Sequence, residues 1–179
     1  MRSSQPLPRL WLMTDERLGG GLLDAVKRLP DGAGIVFRHY GLEEADRRTL
    51  FDRVRIAAPT ALLLLAGPAE LGRAWGADGS HGPGRGQGQG LRSAPVHNQA
   101  EIRAAGRAGA ALLFLSPVYA TRSHPDSRRL GLARFAWLAR RTSLPVIALG
   151  GMNPARGRRL ASFGAYGWAA IDAWAAASG

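Results

Sequence analysis

Three of the four histidines, His39, His81 and His97, stand at the carboxyl ends of short apolar runs, and Arg38 stands beside the first of them. A histidine ordinarily titrates near about 6.5, so it can accept and return a proton at neutral pH. His97 is followed at once by Asn98-Gln-Ala-Glu101, which leaves two readings: a proton-transfer group, or a structural hydrogen bond beside a helix cap. His39 and His81 read as rim or structural histidines. His124, in a polar stretch, is balanced between contacting an anion and facing solvent. Arg38 reads either as an anion ligand or as the partner of a carboxylate such as Asp15. The strongest local pattern is Pro145-Val-Ile-Ala-Leu-Gly-Gly-Met-Asn-Pro154. Glycines at the end of an apolar strand let a ligand come close to the backbone, whose amides can hold a phosphate; a tight turn into a helix accounts for the same residues.

The elements that must position these groups are legible in the period of the apolar residues. Runs rich in Val, Ile and Leu at 9–14, 34–39, 61–66, 77–81, 91–97, 111–118, 145–150 and 167–171 predict strands. Helices are expected at 21–29, 42–58, 68–75, 98–108, 130–142 and 154–163, with a short tail at 172–178. Strands alternating with helices predict a compact (β/α)8 TIM barrel, right-handed crossovers placing the helices outside; an open doubly wound sheet is the rival. At 82–90 the chain reads GPGRGQGQG, a glycine-rich loop replacing much of the fourth helix, because glycine costs about 1 kcal/mol per residue in a helix. Asn98 with Glu101 predicts a capping box, and Asn153-Pro154 predicts a capped helix with proline at its first position. Such helix starts would face the rim, where they favour anions.

Composition bounds the rest. The 179 residues, 46% apolar, suit a single domain over 1–179. No apolar stretch approaches the roughly 20 residues of a membrane span, and the start lacks the apolar core of a secretory signal, so a cytoplasmic protein without membrane partners is expected. There is no cysteine, and no His-x-x-x-His spacing, so disulfides, thiolate metal sites and paired-histidine metal sites are excluded. The net charge of +11 invites nucleic acid. Yet the arginines are spread over helical stretches at 43–58, 101–107, 134–141 and 156–159, which reads as solvated helix faces and not as a specific nucleic-acid site. The five tryptophans, at 11, 75, 137, 168 and 174, are expected in the core or at an interface, which leaves a homo-oligomer open.

In order and spacing, several segments resemble the thiamin phosphate synthase/TenI family. Leu12-Met-Thr-Asp15 resembles its opening L-I-T-D strand, and Gly76-Ala-Asp-Gly-Ser-His81 its G-A-D-G-V-H. Leu115-Ser-Pro-Val-Tyr-Ala-Thr-Arg-Ser-His124 is similar to its G-P-(V/I)-(Y/F)-x-T-x-(T/S)-K, and Ala148-Leu-Gly-Gly-Met-Asn-Pro154 to its A-I-G-G-(I/M)-x-P. With Gly164-Ala-Tyr-Gly-Trp-Ala-Ala-Ile171 the resemblance spans residues 10–173. It implies a small phosphorylated metabolite bound by Thr121, Ser123, His124 and the backbone at Gly150, Gly151, Ala170 and Ile171.

Synthases of this family join a pyrimidine pyrophosphate to a thiazole phosphate with Mg²⁺, a transferase reaction. This chain departs from their pattern. Val36-Phe-Arg-His-Tyr40 keeps Arg38 of Q-x-R-x-K but has Tyr40 at the lysine position; the N-D pair falls on Ala66-Gly67; His124 takes the place of the second lysine. The TenI branch instead isomerises a thiazole carboxylate phosphate without metal. Its R-S-V-H-S segment resembles Arg92-Ser-Ala-Pro-Val-His-Asn98 with two extra residues, which implies His97 as acid/base and Arg38 as its companion. Synthases often carry a histidine here too, so the segment alone does not separate the branches. A TenI-like tautomerase without cofactor is the leading expectation. A synthase, with Mg²⁺, and a non-catalytic phosphometabolite-binding barrel are the alternatives. Asp172 stands where the family has a small residue beside the phosphate, a repulsive neighbour unless it is protonated, turned away or capping a helix.

Overall fold

The computed structural model describes residues 6–83, 90–120 and 129–174. Eight parallel strands close into a barrel in sequence order: β1 Leu10–Met13, β2 Gly34–Phe37, β3 Leu62–Ala66, β4 Gly79–His81, β5 Leu91–Val96, β6 Leu112–Leu115, β7 Val146–Leu149 and β8 Gly167–Ala170. Leu10 pairs with Trp168 to close the ring. The helices α1 Leu22–Lys27, α2 Glu44–Ala57, α3 Ala69–Ala74, α4 Gln99–Arg107, α5 Gly131–Ala139 and α6 Pro154–Ala161 lie between strands, with a 3₁₀ helix, Glu16–Gly21, before α1. The open sheet is thereby excluded: an open sheet has two edges, and here β1 pairs with both β2 and β8.

Period-two alternation divides the core. Trp11, Met13, Val36, Leu64, Ala66, Leu112, Phe114, Ile147 and Ala169 fill the barrel interior. Their neighbours in the chain, such as Ile35, Phe37, Leu63, Leu65, Leu113 and Ala148, pack outward under the helices. Gly34 is required by this interior: a Cβ there would stand 2.3 Å from the Trp11 ring, which occupies the space inside β2. Parity then carries past the strand ends. Arg38, two residues after Val36, continues the inward set, while His39 continues the outward set of Phe37.

Strands are shorter than their apolar runs. β4 begins at Gly79 because Asp78 turns its carboxylate to the Leu63 N–H, at 2.9 Å, and to Arg55, at 2.8 Å. No helix is present at 82, 83 or 90, consistent with the glycine-rich loop, whose residues 84–89 lie outside the described ones. The expected tail helix is absent from 172–174, which form a bend and turn, and its remainder lies outside the described residues. Trp11, Trp75 and Trp168 are buried, and Trp174 stacks on Trp168 with centroids 5.2 Å apart; Trp137, on α5, is 46% exposed and carries Arg141 over its ring. Among the described residues no helix is long and apolar enough to cross a membrane.

Candidate active site

A cavity of about 660 Å³ opens at the carboxyl ends of the strands. Among the residues singled out from the sequence as a catalytic or phosphate-binding set, Arg38, His97, Gly150, Gly151, Ala170 and Ile171 line it. Thr121, Ser123 and His124 lie outside the described residues, although Ala120, immediately before them, is in the cavity wall.

Arg38 is fastened by hydrogen bonds to the segment after β1. Its Nε donates to the Thr14 carbonyl at 2.7 Å and its Nη2 to Asp15 Oδ2 at 2.6 Å, and its backbone N–H donates to Thr14 Oγ1 at 2.9 Å. Burial acts to raise the Asp15 carboxyl, but hydrogen bonds from Arg17 and the charges of Arg38 and Arg17 outweigh it and hold Asp15 below the usual carboxylate range. Of the two readings of Arg38, the pairing with a carboxylate is the one observed, and the guanidinium still lines the cavity. His39 is the structural histidine of the pair: 5% exposed, stacked on Phe37, its Nδ1 3.0 Å from Thr14 Oγ1. It pays for this placement with a left-handed backbone, φ 43°.

His97 sits at the junction of β5 and α4. Glu101 Oε2 accepts from the His97 N–H at 2.7 Å and from Nδ1 at 2.8 Å, while Oε1 accepts from Asn98 Nδ2 at 2.6 Å. Asn98 Oδ1 caps the helix from Glu101 N, at 3.0 Å. The capping box is thus modified: the carboxylate reaches one residue further back, to His97, than the usual return to the cap's own N–H. Burial opposes ionisation of Glu101, but the hydrogen bonds from His97 and Asn98 prevail and lower it. An ionised carboxylate only accepts, so Nδ1 carries the proton and Nε2 is the nitrogen left to act as a base.

His81 also lines the cavity, from inside the barrel. Its Nδ1 is 2.9 Å from Ser93 Oγ, its ring stands nearly perpendicular to that of Phe114 with centroids 5.0 Å apart, and burial, reinforced by Arg38, pushes its pKa down to about 4. It is neutral at neutral pH and offers a hydrogen bond, not a charge.

Gly150 and Gly151 have φ of 98° and 61°. A Cβ on Gly150 would meet Pro117 Cα at 2.8 Å, and one on Gly151 would meet the Ala120 carbonyl oxygen at 2.4 Å. The two glycines are therefore demanded by the turn and by its packing on the segment after β6, independently of any ligand. Beyond them Asn153 caps α6, accepting from Arg156 N at 2.9 Å. Replacing Asn153 by Ala should cost about 1 kcal/mol, a fall in melting temperature of about 2–4 °C. An unchanged melting curve would show that the cap contributes nothing.

Sequence reasoning missed Arg156, which lines the cavity from the first turn of α6. The signal available was its place three residues after a predicted cap on the rim. Asp172 also lines the cavity and is exposed, but it starts no helix in 172–174. Among the described residues no group of three or more His, Asp or Glu could hold a metal ion.

A family model described as thiamine monophosphate synthase matches residues 92–174. A putative thiamine-phosphate synthase 2 of Aquifex aeolicus is 30% identical over 180 residues, an alignment covering 93% of this chain and 97% of that protein. A thiamine-phosphate synthase of Laribacter hongkongensis is 30% identical, with 92% and 86% covered. Among solved structures, a thiamine phosphate pyrophosphorylase from Pyrococcus furiosus superposes with a TM-score of 0.76 at 23% identity, covering 93% of this chain and 86% of that one.

Proposed function

Because the chain belongs to the thiamine monophosphate synthase/TenI family of thiamine metabolism, we propose that it is a metal-independent tautomerase of a thiazole carboxylate phosphate, with His97 as its acid and base. The observation that carries this reading is that His97, which lines the cavity, has its Nδ1 hydrogen-bonded to the Glu101 carboxylate. His97 Nε2 takes a proton from one position of the thiazole ring system, the electron pair moves through the ring, and the imidazolium returns the proton at another position, so that no proton, electron or co-reactant is consumed. Glu101 stabilises the imidazolium during that interval, as a carboxylate behind a catalytic histidine does. Arg38, aimed by Asp15, takes the substrate carboxylate. The backbone at Gly150, Gly151, Ala170 and Ile171 meets the phosphate, at the end where barrels often bind one. Thr121, Ser123 and His124 belong to the same proposal through their place in the sequence, next to Ala120.

The names of the relatives favour a second reading, a synthase with Mg²⁺. The donor set fits that ion poorly: Ala66-Gly67 offers no side-chain oxygen, and Asp172 and Asp15 do not form a metal-holding group with a third carboxylate or histidine among the described residues. A thermal-shift panel separates the readings. Thiazole phosphates should stabilise the protein without Mg²⁺, by about 2.7 kcal/mol at a hundredfold excess over Kd, and the carboxylate should isomerise at an undiminished rate in chelator. Stabilisation by a pyrimidine pyrophosphate that needs Mg²⁺, with thiamin phosphate formed, would establish the synthase. Stabilisation by phosphates with no turnover would leave a binding protein.

A further inference from the structure

We infer that Arg156 is the side-chain cation that grips the phosphoryl group of the ligand at the Gly150–Gly151 turn, and so sets the preference of the cavity for a phosphate monoester over the corresponding alcohol. The inference rests on the reading of the cavity as a site for a phosphorylated small molecule. Arg156 is the third residue after the Asn153 cap, so its Cα stands at the rim while its side chain reaches back over the turn. The guanidinium carbon lies 4.5 Å from the centroid of the Tyr119 ring, and Nη1 donates to the Gly151 carbonyl. The same Nη1 lies 3.3 Å from the point where a Gly151 Cβ would be. A side chain at 151 would therefore crowd the arginine, and glycine there serves the cation as well as the backbone.

Stacking and one hydrogen bond leave the rest of the planar fork available: among the described residues no other hydrogen bond and no carboxylate engages it. Holding a long side chain in place beforehand reduces the rotamer freedom lost when a ligand binds. The charge pattern of the cavity favours such a cation. A phosphate monoester carries about −1.5 to −2 at neutral pH. Arg38 is already opposed by Asp15, and His81 is neutral. Arg156 lines the same cavity, and a guanidinium fork matches two phosphate oxygens at once.

Calorimetric titration of the full chain with inorganic phosphate, a thiazole phosphate and its unphosphorylated alcohol tests this. Arg156→Gln should weaken both phosphates about 10- to 100-fold and leave the alcohol within twofold, and Arg156→Lys should recover part of the loss. Unchanged phosphate affinity in the Gln variant overturns the inference. So does an equal loss for phosphate and alcohol, which would mean that the turn has collapsed, or a lowered melting temperature with normal phosphate binding, which would make Arg156 a structural latch. Absence of phosphate binding in the wild type overturns it as well. Because calorimetry needs no turnover, Arg156-dependent binding without isomerisation would remove the tautomerase reading alone. Isomerisation with Arg156-independent binding would remove this one alone.

Discussion

His97→Asn should lower isomerisation of the thiazole carboxylate phosphate by about 10²- to 10⁴-fold while substrate affinity and melting temperature stay close to wild type. Asparagine retains a donor that can face Glu101, and the backbone N–H at 97 still donates to the same carboxylate, so the start of α4 keeps its hydrogen bonds. The side chain is 55% exposed, so little packing is lost. What asparagine cannot do is take up and release a proton near neutral pH. Binding should survive because Arg38 and the turn at Gly150–Gly151 are supplied by other strands. If His97 only ties β5 to the helix cap, the pattern reverses: the unfolding midpoint drops by several degrees, and turnover per folded molecule is normal. That result would remove His97 from the chemistry.

Acidification should destabilise the barrel well before the carboxylates titrate. His81 binds a proton near 6.5 when unfolded but only near 4 when folded, because burial disfavours the imidazolium and Arg38 repels it. Between those values the unfolded chain holds more protons than the native one, so stability is full above about pH 6.5 and declines as pH falls. The linkage amounts to about 2 kcal/mol at pH 5 and roughly 3 kcal/mol at pH 4, relative to neutral pH. His39, lowered by its own burial, acts in the same direction. Asp15 and Glu101, both lowered, add their loss only at more acidic pH. Denaturant unfolding at pH 7 and pH 5 should show the fall, and His81→Asn, which can keep the Ser93 contact, should remove the share due to His81 and leave the smaller slope of His39. An identical slope in the variant would mean that the buried ring is not what senses the acid.

Short apolar runs were enough to locate all eight strands, because a run and its bounding turns depend only on neighbours along the chain. That Arg38 continues the inward set and His39 the outward one was decided by which residues of β2 fill the barrel interior. Turn chemistry was equally local: Asn98 and Asn153 could be read as caps, and Gly150-Gly151 as a turn, before any contact was known. The gathering of Arg38, His97 and Gly151 at one cavity followed from strand direction, since every parallel strand delivers its carboxyl end to the same face. Chemistry at those positions was decided elsewhere. The neutrality of His81 comes from burial inside the barrel, against Phe114, and from the charge of Arg38, groups that belong to different strands or their ends. Asp15 could be named as a partner for Arg38 from the sequence, but the pairing itself, the reach of Glu101 back to His97, and the placement of Arg156 between Tyr119 and Gly151 each depend on distances of a few ångströms that the chain alone leaves open. Period and capping are properties of a segment, and are written in it. Desolvation and ion pairing belong to a place in space, which exists only once the barrel has closed.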